Sequence, residues 1–172
     1  MLKIVGSMLI LTASVGGCLS YMNRFKEQER QLLIIKELLI ILEKQLEYIR
    51  LPIAEIVEEM AKKAGAPFKL PLMEFTKELS KHRTEDVEAL WKESLNNHKE
   101  EFCLSREEFG ILLDIGRLLE PTDSRSQVAS VELYKNRIDE KIQKIWAERG
   151  DKQKVYQSVC LLGGLVLIIV LL

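Results

Sequence analysis

Residues 28–50 read QERQLLIIKELLIILEKQLEYIR. Leu32, Ile35, Leu39, Leu42, Leu46 and Ile49 recur at alternating spacings of three and four, which places them on one stripe of a helix. Ile34, Leu38 and Ile41 widen the stripe, while Lys36, Glu37, Glu43, Lys44 and Glu47 fall off it. An apolar face this wide predicts packing against at least two other helices. No Gly or Pro stands between Tyr21 and Arg50, so the helix is expected to run on without a break from the apolar residues before it. Leu51-Pro52 ends it, because proline disfavours helical geometry in the residue before it.

The residues that follow repeat this pattern in shorter units. Pro52 suits the first turn of a second helix over roughly residues 52–63, with Ile53, Ile56, Val57 and Met60 inward and Gly65 as its C-terminal cap. Ala66-Pro67 and Leu70-Pro71 bracket a short connector, and Leu72, Phe75 and Leu79 define a third helix. Thr84 is the expected cap of a fourth, with Val87, Leu90, Trp91 and Leu95 inward, and Asn96-Asn97-His98 reads as a loop. Ser105 with Glu108 forms a capping-box pattern, so a fifth helix is expected from near Arg106, with Phe109, Leu112 and Leu113 on its apolar side. Gly116 falls inside it, where glycine costs about 1 kcal/mol relative to alanine. Close packing and chance are both open explanations. Pro121-Thr122-Asp123 is a turn, and a sixth helix runs from about Ser124 to Glu148 with Val128, Val131, Ile138, Ile142 and Ile145 inward. No alternating strand pattern of useful length interrupts these helices.

Both ends of the chain are different in kind. Lys3 is the only charged side chain before Arg24, and none follows Lys154. The last eighteen residues, VYQSVCLLGGLVLIIVLL, span about 27 Å as a helix, close to the roughly 30 Å of a bilayer's hydrocarbon core. Residues 1–22 are nearly as apolar. The predicted fold is therefore all-α: an N-terminal transmembrane helix over 1–23, a cytoplasmic bundle of about six helices over 24–154, and a C-terminal transmembrane helix over 155–172. Arg24, Lys26 and Arg30 flank the first anchor, and Arg149, Lys152 and Lys154 the second, all on the side of the middle domain. The positive-inside rule places that domain in the cytoplasm. Ala13 and Gly17, and Cys160 and Gly164, stand four apart with Gly163 adjacent, a spacing that lets helices approach closely in lipid. A homo-oligomer is compatible with such pairs. An alternative reading takes Val15-Gly16-Gly17-Cys18 as a lipoprotein processing site, which makes the chain a lipid-anchored extracytoplasmic binding protein attached through Cys18. The basic residues directly after the apolar run resist export.

Of the 172 residues, 47% are hydrophobic and 30% charged, and the net charge is −1. A near-neutral middle argues against nucleic acid as a partner, since phosphate binding needs a concentrated basic surface. Phosphate-cradling glycine motifs and HExxH are absent, and the three cysteines have no metal-ligand spacing. No catalytic, metal or cofactor set is expected. His82 and His98 stand beside basic residues in expected loops, and Cys103 has no histidine near it in sequence. Glu100, Glu101, Glu107, Glu108 and Asp114 form one acidic cluster. It reads as a solvated face with helix-start charges, or as a docking surface for a basic partner.

Four stretches carry a likeness: the opening MLKIVGSMLILTAS; RQLLIIKELLIILEKQLEYIRLPIAEIVEEMAKK; PLMEFTKEL followed by EALWKESL; and the closing VYQSVCLLGGLVLIIVLL. Together they resemble the stage III sporulation protein AB family. One departure is Leu119-Glu120-Pro121-Thr122-Asp123, where the family pattern has a glycine after the leucine. The family is similar to the F-type inner-membrane platform proteins of type II secretion and type IV pilus systems. The resemblance implies a non-enzymatic part of the channel complex between mother cell and forespore, in the mother-cell membrane around the forespore. It also implies a cytoplasmic hexameric ATPase, the stage III protein AA of the same complex, as a partner.

Overall fold

The structure, a computed structural model, describes residues 2–49, 51–81, 86–120 and 126–148; for 2–22, 48 and 49 it describes the backbone only. Six α-helices lie among the described residues, with no strand. They are α1 (Leu2–Lys44), α2 (Ile53–Ala64), α3 (Lys69–Lys81), α4 (Val87–Asn97), α5 (Arg106–Asp114) and α6 (126–148). A π-helical turn, Gln45–Ile49, follows α1, and 3₁₀ turns follow α4 (Lys99–Glu101) and α5 (Ile115–Leu119). The chain divides into two units: residues 1–27 with 143–172, and residues 28–142. In the first, the described parts are the opening of α1 and the last residues of α6, with Ile145 buried.

The second unit is built on α1. Leu32, Ile35, Leu39 and Leu42 are fully buried, as the stripe predicts. Its last members behave otherwise. The π turn is wider than an α turn, so the register drifts. Gln45 takes the inward place and Leu46 is only half-buried. The side chain of Ile49 lies outside the described residues. On the opposite flank α6 runs antiparallel to α1. Lys36 Nζ meets Asp139 at 2.6 Å, and Lys135 Nζ meets Glu43 at 2.7 Å, so position rises along α1 as it falls along α6. Val131, Ile138 and Ile142 of α6 are buried, while Val128 is half-buried and Gln127 sits inward beside it.

Short helices fill the remaining faces. α2 buries Ile56, Val57 and Met60 as expected, together with Ala61 and Ala64, while Ile53 is only half-buried. It ends at Gly65, whose φ of 65° favours glycine. Leu70-Pro71 does not belong to a connector. α3 already begins at Lys69, and Pro71 lies buried in its first turn, where no helical N–H partner is lost. Asp86, not Thr84, caps α4: its Oδ1 accepts from Ala89 N–H at 2.7 Å, and Thr84 lies outside the described residues. Asn96 and Asn97 continue α4 rather than forming a loop. α5 stops at Asp114 and tightens into the 3₁₀ turn that holds Gly116. There Trp91 packs so closely that a Cβ on Gly116 would meet its Cδ1 at 2.7 Å. The aromatic core joins Phe75 to Trp91 edge-on at 5.5 Å and Phe68 to Phe102 at 5.1 Å.

Among the described residues no helix is long and apolar enough to cross a membrane. The expected anchor at 155–172 lies outside the described residues, and so do Cys160, Gly163, Gly164 and the 121–123 turn. Ala13, Gly17 and Cys18 lie in the helical backbone of α1, their side chains not described.

Candidate interaction surface

α5 is positioned by a seam of polar side chains reaching from α1. Ser105 N–H donates to Glu108 Oε2 at 2.7 Å, and Glu108 N–H donates to Ser105 Oγ at 3.3 Å, which completes the capping box. Gln28 Nε2 donates to both Glu108 oxygens, at 3.0 and 2.7 Å. Three residues further along α1, Gln31 Oε1 accepts from Cys103 N–H at 2.9 Å. Glu108 is only 4% exposed, and its carboxylate is committed to these donors. It therefore leaves the acidic cluster as a docking group: a capping residue must face its own helix start.

The other four acidic residues separate into two places. Glu107 and Asp114 line a cleft of about 350 Å³ between α5 and α6, with Gly110, Arg137, Glu140 and Lys141. Glu107 Oε1 holds Lys141 Nζ at 2.6 Å, and Arg137 lies 5.6 Å from the ring centre of Tyr134. Burial, and then the charge of Asp114, push the Tyr134 hydroxyl pKa up. Three carboxylates and two cations give this cleft charges of both signs rather than a uniformly acidic face. Glu100 and Glu101 lie in the 3₁₀ turn after α4.

Glu101 is drawn into a second arrangement. His98 Nδ1 lies 2.9 Å from Glu101 Oε1, and Nε2 lies 3.0 Å from Glu74 Oε2 on α3. The bond to Glu101 first, and that to Glu74 next, raise the histidine's pKa against the opposing effect of burial. His98 is thus a half-buried strut between α3 and α4, not the free surface histidine that its basic neighbours suggest. His82 lies outside the described residues. At the other end of α4, Glu88 bonds both Lys92 and Arg117, the latter at 3.0 Å, and these bonds hold its carboxyl below the usual range.

The pairs of Glu108, His98, Glu107 and Arg117 thus hold separate elements together. Sequence reasoning missed Gln31 of α1 and Gln45 of the π turn. Gln31 and Gln45 fall in or beside the inward phase of an apolar helix, and a buried polar side chain there requires a partner.

The family model for stage III sporulation protein AB matches residues 3–172. The chain belongs to the stage III sporulation protein AB family. Stage III sporulation protein AB of Bacillus subtilis (strain 168) is 23% identical over 172 residues, covering all of both chains. A solved structure of stage III sporulation protein AB shares the fold, with a TM-score of 0.66 at 21% identity over 73% of this chain and 98% of that one. Family membership gives the chain a role in sporulation, and the helical bundle is the fold of that solved relative.

Proposed function

We propose that the chain is a non-enzymatic membrane platform of the channel complex between mother cell and forespore. It sits in the mother-cell membrane surrounding the forespore, with residues 24–154 facing the mother-cell cytoplasm. It couples the stage III protein AA ATPase to the membrane proteins of the complex. One observation carries this reading. The Lys36–Asp139 and Glu43–Lys135 pairs make α1 and α6 antiparallel, so the chain enters and leaves the 28–142 unit at the same end. That is the connectivity a bundle needs if both of its ends are tethered to one membrane. Two tethers restrict rotation, and a force applied to the bundle then reaches the anchors instead of being lost in a swivelling stalk.

The apolar ends of the sequence and their basic flanks supply the anchors. The pairing of Glu108, His98, Glu88 and Lys135 with structural partners favours a binding role over catalysis. The test is binding of the purified, folded full chain, in nanodiscs, to the folded ATPase. Saturable binding is expected. Its absence, with both proteins folded, would remove the coupling role.

A further inference from the structure

Two exposed strips of the 28–142 unit match in spacing and oppose in charge. On α3, Lys69, Leu70, Met73 and Lys77 all face solvent, with Leu70 59% and Met73 52% exposed. On α6, Glu132, Leu133, Asn136 and Glu140 do the same, with Leu133 51% exposed. Each strip has a charge at its first residue, a leucine one further on, a neutral side chain four on and a second charge eight on. At 1.5 Å of rise per residue the two charges stand about 12 Å apart along either helix. The four charged side chains make no ion pair among the described residues, whereas Lys62, Lys63, Lys81 and Lys141 are each held by a glutamate. Lys69 also works against its own helix: it stands in the first turn of α3, where the dipole disfavours a cation, and no acid in that turn offsets it. Large apolar side chains between uncommitted charges supply the core and rim of a contact surface. The charges decide what covers it. α3 against α3 brings lysines together, and α6 against α6 brings glutamates together. α3 against α6 sets a lysine near a glutamate at each end, in either direction, with Leu70, Met73 and Leu133 between them.

We propose that a second copy of this chain covers the α3 strip with its α6 strip. The contact is heterologous, so a pair of copies leaves one strip of each kind open and further copies can add in series. Exposed ion pairs and few residues a side make it weak, and it forms where copies are held close together. The test is cross-linking of the full chain in cells. In a version lacking Cys18, Cys103 and Cys160, Met73→Cys and Leu133→Cys are introduced together and treated with a short bismaleimide. A ladder of dimers, trimers and larger products is expected, and at least about fivefold less product from either cysteine alone. Adding Lys69→Glu and Lys77→Glu is expected to reduce the ladder about fivefold, and adding Glu132→Lys and Glu140→Lys as well to restore it. All four positions are exposed, and an unchanged Tm shows that the variants fold. The proposal is overturned if no ladder forms although both cysteines react with a monofunctional maleimide. It is overturned equally if Met73→Cys alone gives as much product, if it links to a different protein in place of a ladder, or if the reversed charges leave the ladder unchanged. Failure to regain the ladder with all four charges exchanged would overturn it too. The inference goes beyond the platform reading and does not depend on it: recovery of the chain in the soluble fraction would count against the anchors, while the ladder would still be read there.

Discussion

Gly116 leaves no room for a side chain because Trp91 cannot retreat. The indole is fully buried, its Nε1–H donates to Leu112 O at 2.9 Å, and Phe75 packs against it in a T-shaped contact. Gly116→Ala is therefore expected to destabilise the chain by about 1–3 kcal/mol, seen as a lowered Tm with native helix content. Glu108 makes a different contribution. Glu108→Ala strands Ser105 N–H and the Gln28 amide, with an expected cost of about 2–3 kcal/mol. Glu108→Gln retains an acceptor for the capping box and should cost less, so the order of the two melting temperatures checks the assignment. His98 makes stability depend on pH. Its pKa is raised in the fold, so its contribution is complete below the unfolded value near 6.5 and disappears as pH rises through the higher folded value. The Tm of the native chain should fall across that window more than the Tm of His98→Asn. Equal slopes would contradict the role of the strut. Glu88, whose pKa is lowered, works in the opposite sense: its contribution is present above the unfolded carboxyl value and is lost on acidification.

The α1–α6 pairing depends on two half-buried ion pairs of opposite polarity, Lys36–Asp139 and Glu43–Lys135. Reversing one pair in full should be tolerated, whereas reversing half of it places like charges together. Glu43→Lys and Lys135→Glu are each expected to lower stability, and the double variant to recover a coupling of about 0.5–1 kcal/mol in a thermal double-mutant cycle. These pairs also show what sequence can and cannot reveal. The stripe of α1 up to Leu42, the Ser105–Glu108 box, the Gly65 cap and the Val131–Ile138–Ile142 face of α6 are legible, because each depends on local spacing or on one residue's conformational preference. The π turn is not, because nothing in QLEYI departs from a helical pattern, and the stripe places Leu46 rather than Gln45 inward. Pro71 misled in the other direction: proline breaks a helix interior but is accepted in a first turn, and only the position of Lys69 decides between them. The candidate surface was legible only in part. Composition groups the five acidic residues, but the fold turns Glu108 inward, ties Glu101 to His98 and sets Glu107 and Asp114 among cations.

For the whole molecule, the central claim is that one compact helical unit hangs by both ends from one membrane, on the cytoplasmic side. The antiparallel α1–α6 pair and the basic residues beside both apolar ends support it together. The most direct measurement is the sidedness of Ser126, which is exposed at the start of α6. A version lacking Cys18, Cys103 and Cys160 and carrying Ser126→Cys would be produced in non-sporulating bacterial cells, where no engulfing membrane shields either face. It would then be treated with a membrane-impermeant thiol reagent. Labelling only after permeabilisation is the predicted result. Labelling of intact cells would place the bundle outside the cytoplasm, beyond the reach of the ATPase, and would contradict the account in favour of a lipid anchor at Cys18.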